Sequence, residues 1–143
     1  MSDSSQNERL NAVLIRLHRC LLQYVEECWP WSGQGQSGER LAVQGLAREQ
    51  QHFVGGLVDL LSSRGWPIDF GNYPTDFTDL HYVGLDYLLG RIADDEQTLV
   101  AFIELARAGS MGDSSATSLL SHLLDAERRH ASRLRELAGA VVV

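Results

Sequence analysis

The sequence predicts an all-helical protein, folded as a four-helix bundle. Three observations lead there. Apolar residues recur every three or four positions in four separate segments. No stretch alternates long enough to defend a strand. Only three prolines interrupt 143 residues, which leaves room for long helices.

The first helix is expected over about residues 6–29, where Ser5 and Glu8 have the spacing of a capping box. Its stripe is Leu10, Leu14, Leu17, Leu21, Tyr24 and Cys28, and Pro30 with the loop "WSGQGQSG" ends it. The second runs over about 39–64 and is closed by Gly65 and Pro67, the usual order of a helix stop. The third covers about 77–108, with Asp76, Thr78 and Asp79 as caps and Leu85, Leu89, Ile92, Leu99, Ile103 and Ala106 as its stripe. The fourth, about 114–138, is capped by Asp113 or Ser114 and carries Leu120, Leu123, Leu134 and Leu137.

The connections indicate how these helices are joined. Short loops after the first and third make each an antiparallel hairpin with its successor. Between the second and third lies "GWPIDFGNYPTDFT". Such a segment spans up to about 46 Å when extended, and a helix of some 25 residues is only about 37 Å long. The connection can therefore cross the whole bundle and let the second and third helices run parallel. Trp66, Phe70, Tyr73 and Phe77 are expected to pin it to the surface.

Composition narrows the functional classes. At 15.9 kDa and 44% apolar residues, the chain is one domain (1–143) with a genuine core. The net charge is −7 and all 12 basic residues are arginine, which gives no footprint for nucleic acid. Arg128, Arg129, Arg133 and Arg135 read as a solvated helix face. No membrane span or secretory signal is visible, and Cys20 and Cys28 cannot bridge along one helix, so a cytoplasmic protein with reduced thiols is expected.

The chemistry lies in a repeated pattern. "EQQH" (Glu49 to His52) returns as "ERRH" (Glu127 to His130). Residues three apart share a helix face, so each pair can present an oxygen and a nitrogen in one direction. Glu127 and His130 fall within the apolar stripe of the fourth helix, and Glu49 and His52 are expected to do likewise on the second, between Leu46 and Phe53 on one side and Leu57 and Leu60 on the other. A buried carboxylate needs a partner or a cation, and a divalent metal satisfies carboxylate and imidazole together.

In these residues and in its short–long–short loop order, the chain resembles the ferritin-like superfamily, including bacterioferritins and rubrerythrins. The resemblance implies a carboxylate-bridged di-iron or di-manganese centre acting on oxygen, peroxide or ferrous iron. It also implies a glutamate from each of the first and third helices. Across an antiparallel turn near residue 111, Glu127 faces Glu96, which is thus the third-helix carboxylate. The expected metal ligands are Glu49, His52, Glu96, Glu127 and His130, with iron or manganese as cofactor and Glu49 and Glu127 as bridges.

The first helix departs from the pattern. His18 and Arg19 stand opposite Glu49, while Glu26 and Glu27 lie about 12 Å further along the axis. The alternatives are His18 as a substitute, a shifted or kinked helix, a one-metal site, or a buried hydrogen-bond network balanced by Arg16 or Arg19. His81 and His122 read as boundary residues, and Tyr24, Tyr82 and Tyr87 as core or rim aromatics. The competing functional reading is a non-catalytic bundle with a structural polar core, serving self-association, a dimer foremost, or partner binding.

Overall fold

The structure is a computed structural model that describes residues 2–28, 37–82 and 85–142. It is all-helical: α1 (Ser2–His18), α2 (Leu21–Cys28), α3 (Ser37–Ser63), a 3-10 helix (Thr75–Tyr82), α4 (Leu85–Ala108) and α5 (Ser114–Val142). No strand occurs among the described residues. The loop expected at 29–36 lies outside them.

Two helix boundaries differ from expectation. The segment expected as one helix over 6–29 starts at Ser2, which puts Ser5 inside it, and breaks at Arg19–Cys20. The cause is a side chain from elsewhere: Leu21 N–H donates to Asp95 Oδ2 of α4 at 2.9 Å, so α2 begins afresh on that carboxylate. The segment expected to be α-helical from 77 opens instead as the 3-10 helix, and α4 proper begins at Leu85. Elsewhere local chemistry sets the ends as the sequence suggests. Trp66 N–H bonds to Leu61 O and Gly65 N–H to Ser62 O, with Gly65 at φ +68°, a Schellman closure of α3. Asp113 Oδ1 accepts from Ala116 N–H at the start of α5.

The helices pack around an aliphatic interior that includes Leu14, Leu17, Leu57, Leu61, Leu89, Ile103, Leu120 and Leu134. The most extensive contact is α4 with α5; α1 and α2 lie against both α3 and α4, and α3 also meets α5. Polar contacts fix the helix directions. Gln6 reaches Ser110, Arg9 reaches Gly109 O, and Arg64 reaches both Asn7 and Asp113. The start of α1, the ends of α3 and α4, and the start of α5 therefore meet at one end. Since α3 and α4 both finish there, they run parallel, and the chain joining them must return along the molecule.

That crossover is fastened to α1 and α2. The Asn11 side chain donates to Asp69 O and accepts from Asp69 N–H. Arg19 Nε donates to the carbonyls of Phe70 and Gly71. Tyr24 packs edge-on against Tyr73 and obliquely against Phe77. Trp66 and Tyr73 pack on the core and Phe77 is buried, whereas Phe70 remains exposed beside His18. With the interior on one side and the crossover on the other, residues 20–25 are all buried. No helix among the described residues is long and apolar enough to cross a membrane.

Gly65 and Gly71 share φ +68° but not their surroundings. A Cβ on Gly65 would meet nothing within 4 Å, whereas one on Gly71 would stand 2.6 Å from Ile15 Cγ2. In denaturant unfolding, Gly65→Ala is expected to cost about 1 kcal/mol, from backbone conformation alone. Gly71→Ala is expected to cost roughly 2–4 kcal/mol, because overlap with Ile15 is added.

Candidate metal centre

Each helix delivers its polar side chain through its own packing row. On α5, residues 120, 123, 127, 130, 134 and 137 form one buried row, so Glu127 and His130 are carried inward and are 0% exposed. On α4, Glu96 follows Ile92 and precedes Leu99 on the buried side and is 1% exposed. These three expected ligands come together as the sequence indicates. Glu96, Glu127 and His130 each offer an atom, all lying within 4.8 Å of one another. Ligands opposite each other on one ion stand about 4.2 Å apart at bonds of ~2.1 Å, so a closure of a few tenths of an ångström would let one ion touch all three.

On α3 the inward row lies one residue away from the expected one. Val43, Ala47, Gln50, Val54, Leu57 and Leu61 are buried, while Leu46, Phe53 and Leu60 form a half-buried flank. His52 is consequently exposed, and it is not brought to the group. Glu49 lies at the edge, its side chain 40% exposed, with Oε1 2.5 Å from His130 Nε2 and 3.6 Å from Arg129 Nη1. The expectation that both Glu–x–x–His pairs would converge on a shared ion does not hold. Only the α5 pair is internal, and Glu49 addresses its histidine from outside.

Gln50 occupies the place expected for Glu49. Its Nε2 donates to Glu96 Oε1 at 3.0 Å and to Glu127 Oε1 at 2.7 Å. Its Oε1 accepts from Gln23 Nε2 at 2.9 Å and Cys20 Sγ at 3.3 Å. The segment that lacked a suitable carboxylate in the sequence thus contributes a thiol and an amide. His18 stops short, held at 3.2 Å from Gln51 Nε2, and Arg19 is taken up by the crossover. Gln23, Gln50 and Cys20 were all missed by sequence reasoning. A glutamine inside the apolar row 43–47–50–54–57–61 was the one available signal.

Comparison with family models, curated proteins and solved structures finds no match. The chemistry of the centre is therefore read from its own atoms.

Three of those atoms decide its character. With both carboxylates ionised, Glu96 Oε2, Glu127 Oε2 and His130 Nδ1 are buried and without a hydrogen-bond partner. His130 Nδ1 stands 2.8 Å from Glu127 Oε2, but out of hydrogen-bond alignment. Meanwhile His130 Nε2 is engaged by the Glu49 carboxylate, to which it can only donate, so a neutral ring would turn the Nδ1 lone pair toward the two carboxylates. A carboxylate on the far nitrogen of an inward histidine is the usual means of orienting a metal-binding imidazole. The donor set of two carboxylates and one imidazole suits a divalent transition metal.

Without a cation, protons must fill that role. Burial pushes the Glu96 carboxyl well above the ordinary carboxylate range, and its contact with Glu127 reinforces this. Burial opposes ionisation of Glu127 as well, but its contacts with Glu96 and His130 and the Gln50 hydrogen bond outweigh it and hold the group below its usual value. For His130, burial favours the neutral ring, yet Glu127 and Glu49 together raise its proton affinity. Without a cation, proton uptake is thus favoured at Glu96 and at the His130 ring.

The signs give a pH dependence. Glu96 and His130, both raised in the fold, stabilise it below their unfolded values of 4.5 and 6.5 and lose that contribution as pH rises through their folded values. Glu127, lowered, contributes above 4.5 and loses that only in stronger acid. Metal-free protein should therefore melt at a lower temperature at about pH 9 than at about pH 6. Glu96→Gln, which cannot ionise, should flatten that decline.

Proposed function

We propose that this chain is a ferritin-like four-helix bundle that binds iron or manganese through Glu96, Glu127 and His130. One observation carries the reading: three buried side chains from two helices, Glu96, Glu127 and His130, bring ligand-type atoms close together, and each keeps an atom that makes no aligned hydrogen bond. Parallel α3 and α4 joined by a long crossover, with the short α4–α5 turn, support the bundle part of the proposal.

The residues divide the work. Glu96 and Glu127 supply negative charge, and His130 supplies an imidazole nitrogen. Glu49 fixes the ring and strengthens its basicity through Nε2. Gln50 holds both carboxylates from the opposite side, keeping their free oxygens aimed away from itself. The surrounding leucines and isoleucines exclude water and so strengthen every electrostatic contact within. A bound iron or manganese ion would supply the redox chemistry, in the oxidation of ferrous iron or the reduction of oxygen or peroxide.

Elemental analysis of protein purified from iron- and manganese-replete medium tests this. Stoichiometric metal is expected in the wild type and should vanish in Glu96→Gln and His130→Ala. Glu49→Ala should weaken affinity by roughly 10–100-fold, while His52→Ala leaves it unchanged. Metal-free protein whose stability is indifferent to chelator would instead support the rival reading, a structural polar core in a self-associating bundle.

A further inference from the structure

The Gln50 side chain has four hydrogen-bonding positions, and all four are taken. Its two N–H groups go to Glu96 Oε1 and Glu127 Oε1, and its oxygen accepts from Gln23 and Cys20. The opposite orientation would set the amide oxygen against two carboxylate oxygens, so electrostatics dictates the one observed. Each glutamate is thereby divided. One oxygen is committed to the amide; the other makes no aligned hydrogen bond, and that of Glu127 stands 2.8 Å from His130 Nδ1.

From this we infer that Gln50 restricts the centre to a single metal ion, its amide nitrogen standing where a second cation would have to bridge the same two carboxylates. The inference rests on the metal-binding reading above and specifies its stoichiometry. Charge leads to the same count. Two carboxylates balance one divalent cation, and a second would leave an uncompensated charge in an interior with almost no access to water. The wall behind Gln50 offers no ionised oxygen to correct this. Gln23 is an amide whose Nε2 also donates to Ala47 O and whose Oε1 accepts from Gln51. Cys20 presents its S–H to Gln50. A carboxylate at position 50 would remove the amide donor and add the missing charge together. Gln50 is in this sense the residue that determines nuclearity.

The test is a count of Mn(II). Full-length protein is stripped with chelator and titrated with Mn(II) by calorimetry. Bound metal is counted after desalting, and electron paramagnetic resonance is recorded at saturation. Wild type is expected to hold one ion per chain with the resolved hyperfine pattern of an isolated Mn(II). Gln50→Glu is expected to hold two, with the signal broadened by coupling between ions roughly 3.5–4 Å apart. Two ions in the wild type would overturn the inference, as would a single ion in Gln50→Glu that is folded by circular dichroism. Should Gln50→Glu fold only with metal present, it is refolded in Mn(II) and counted in the same way; should it not fold at all, the wild-type count alone decides. Wild-type protein that takes up no Mn(II) would overturn the metal-binding reading itself, and this inference with it, a result distinguishable from a count of two.

Discussion

Two glutamates buried side by side in an aliphatic interior are the constraint around which this fold is arranged. Left alone, their repulsion and desolvation would oppose assembly. The structure answers on both sides of the pair. On one side an amide donates to both carboxylates. On the other, an imidazole held by an outer carboxylate brings Nδ1 to 2.8 Å from Glu127 Oε2. These partners come from α3 and α5, and Cys20 and Gln23 beyond the α1 break hold the amide in turn, so satisfying two carboxylates draws every major helix to one level. The polar cluster aligns the helices as much as the leucines hold them.

The break between α1 and α2 belongs to the same system. Asp95 is the immediate neighbour of Glu96 on α4, and its carboxylate accepts the first amide of α2. One turn of α4 therefore sets both the acid of the centre and the restart of the facing helix. An unbroken helix would run on past Arg19 in the phase fixed by Leu10, Leu14 and Leu17. The restart brings Cys20 and Gln23 to Gln50, and the crossover covers what that rotation would have exposed.

Much of this was legible in the sequence, and the failures have physical reasons. The α5 row and Glu96 follow from periodicity, because a charged residue in a strict leucine row has few places to go but inward. Parallel α3 and α4 follow from comparing loop reach with helix length. The phase of α3 did not follow. Two adjacent rows on that helix are both apolar, and the bulkier one looked like the core although the other is the buried one. The glutamate–histidine repeat reinforced that misreading, since a motif can match in spacing without matching in orientation. The α1 break was hidden because the carboxylate that causes it lies 74 positions further along the chain.

All three inward ligands reside in α4 and α5, a single helical hairpin closed by the short turn around Ser110 and Asp113. Their meeting asks only that the α4–α5 turn close, and closure of a short turn costs little chain entropy. The remaining helices arrive later in sequence separation and serve as insulation and restraint. Gathering these three side chains and completing the fold are thus separable in principle: the hairpin sets the cluster, and the rest of the molecule determines how firmly it is held.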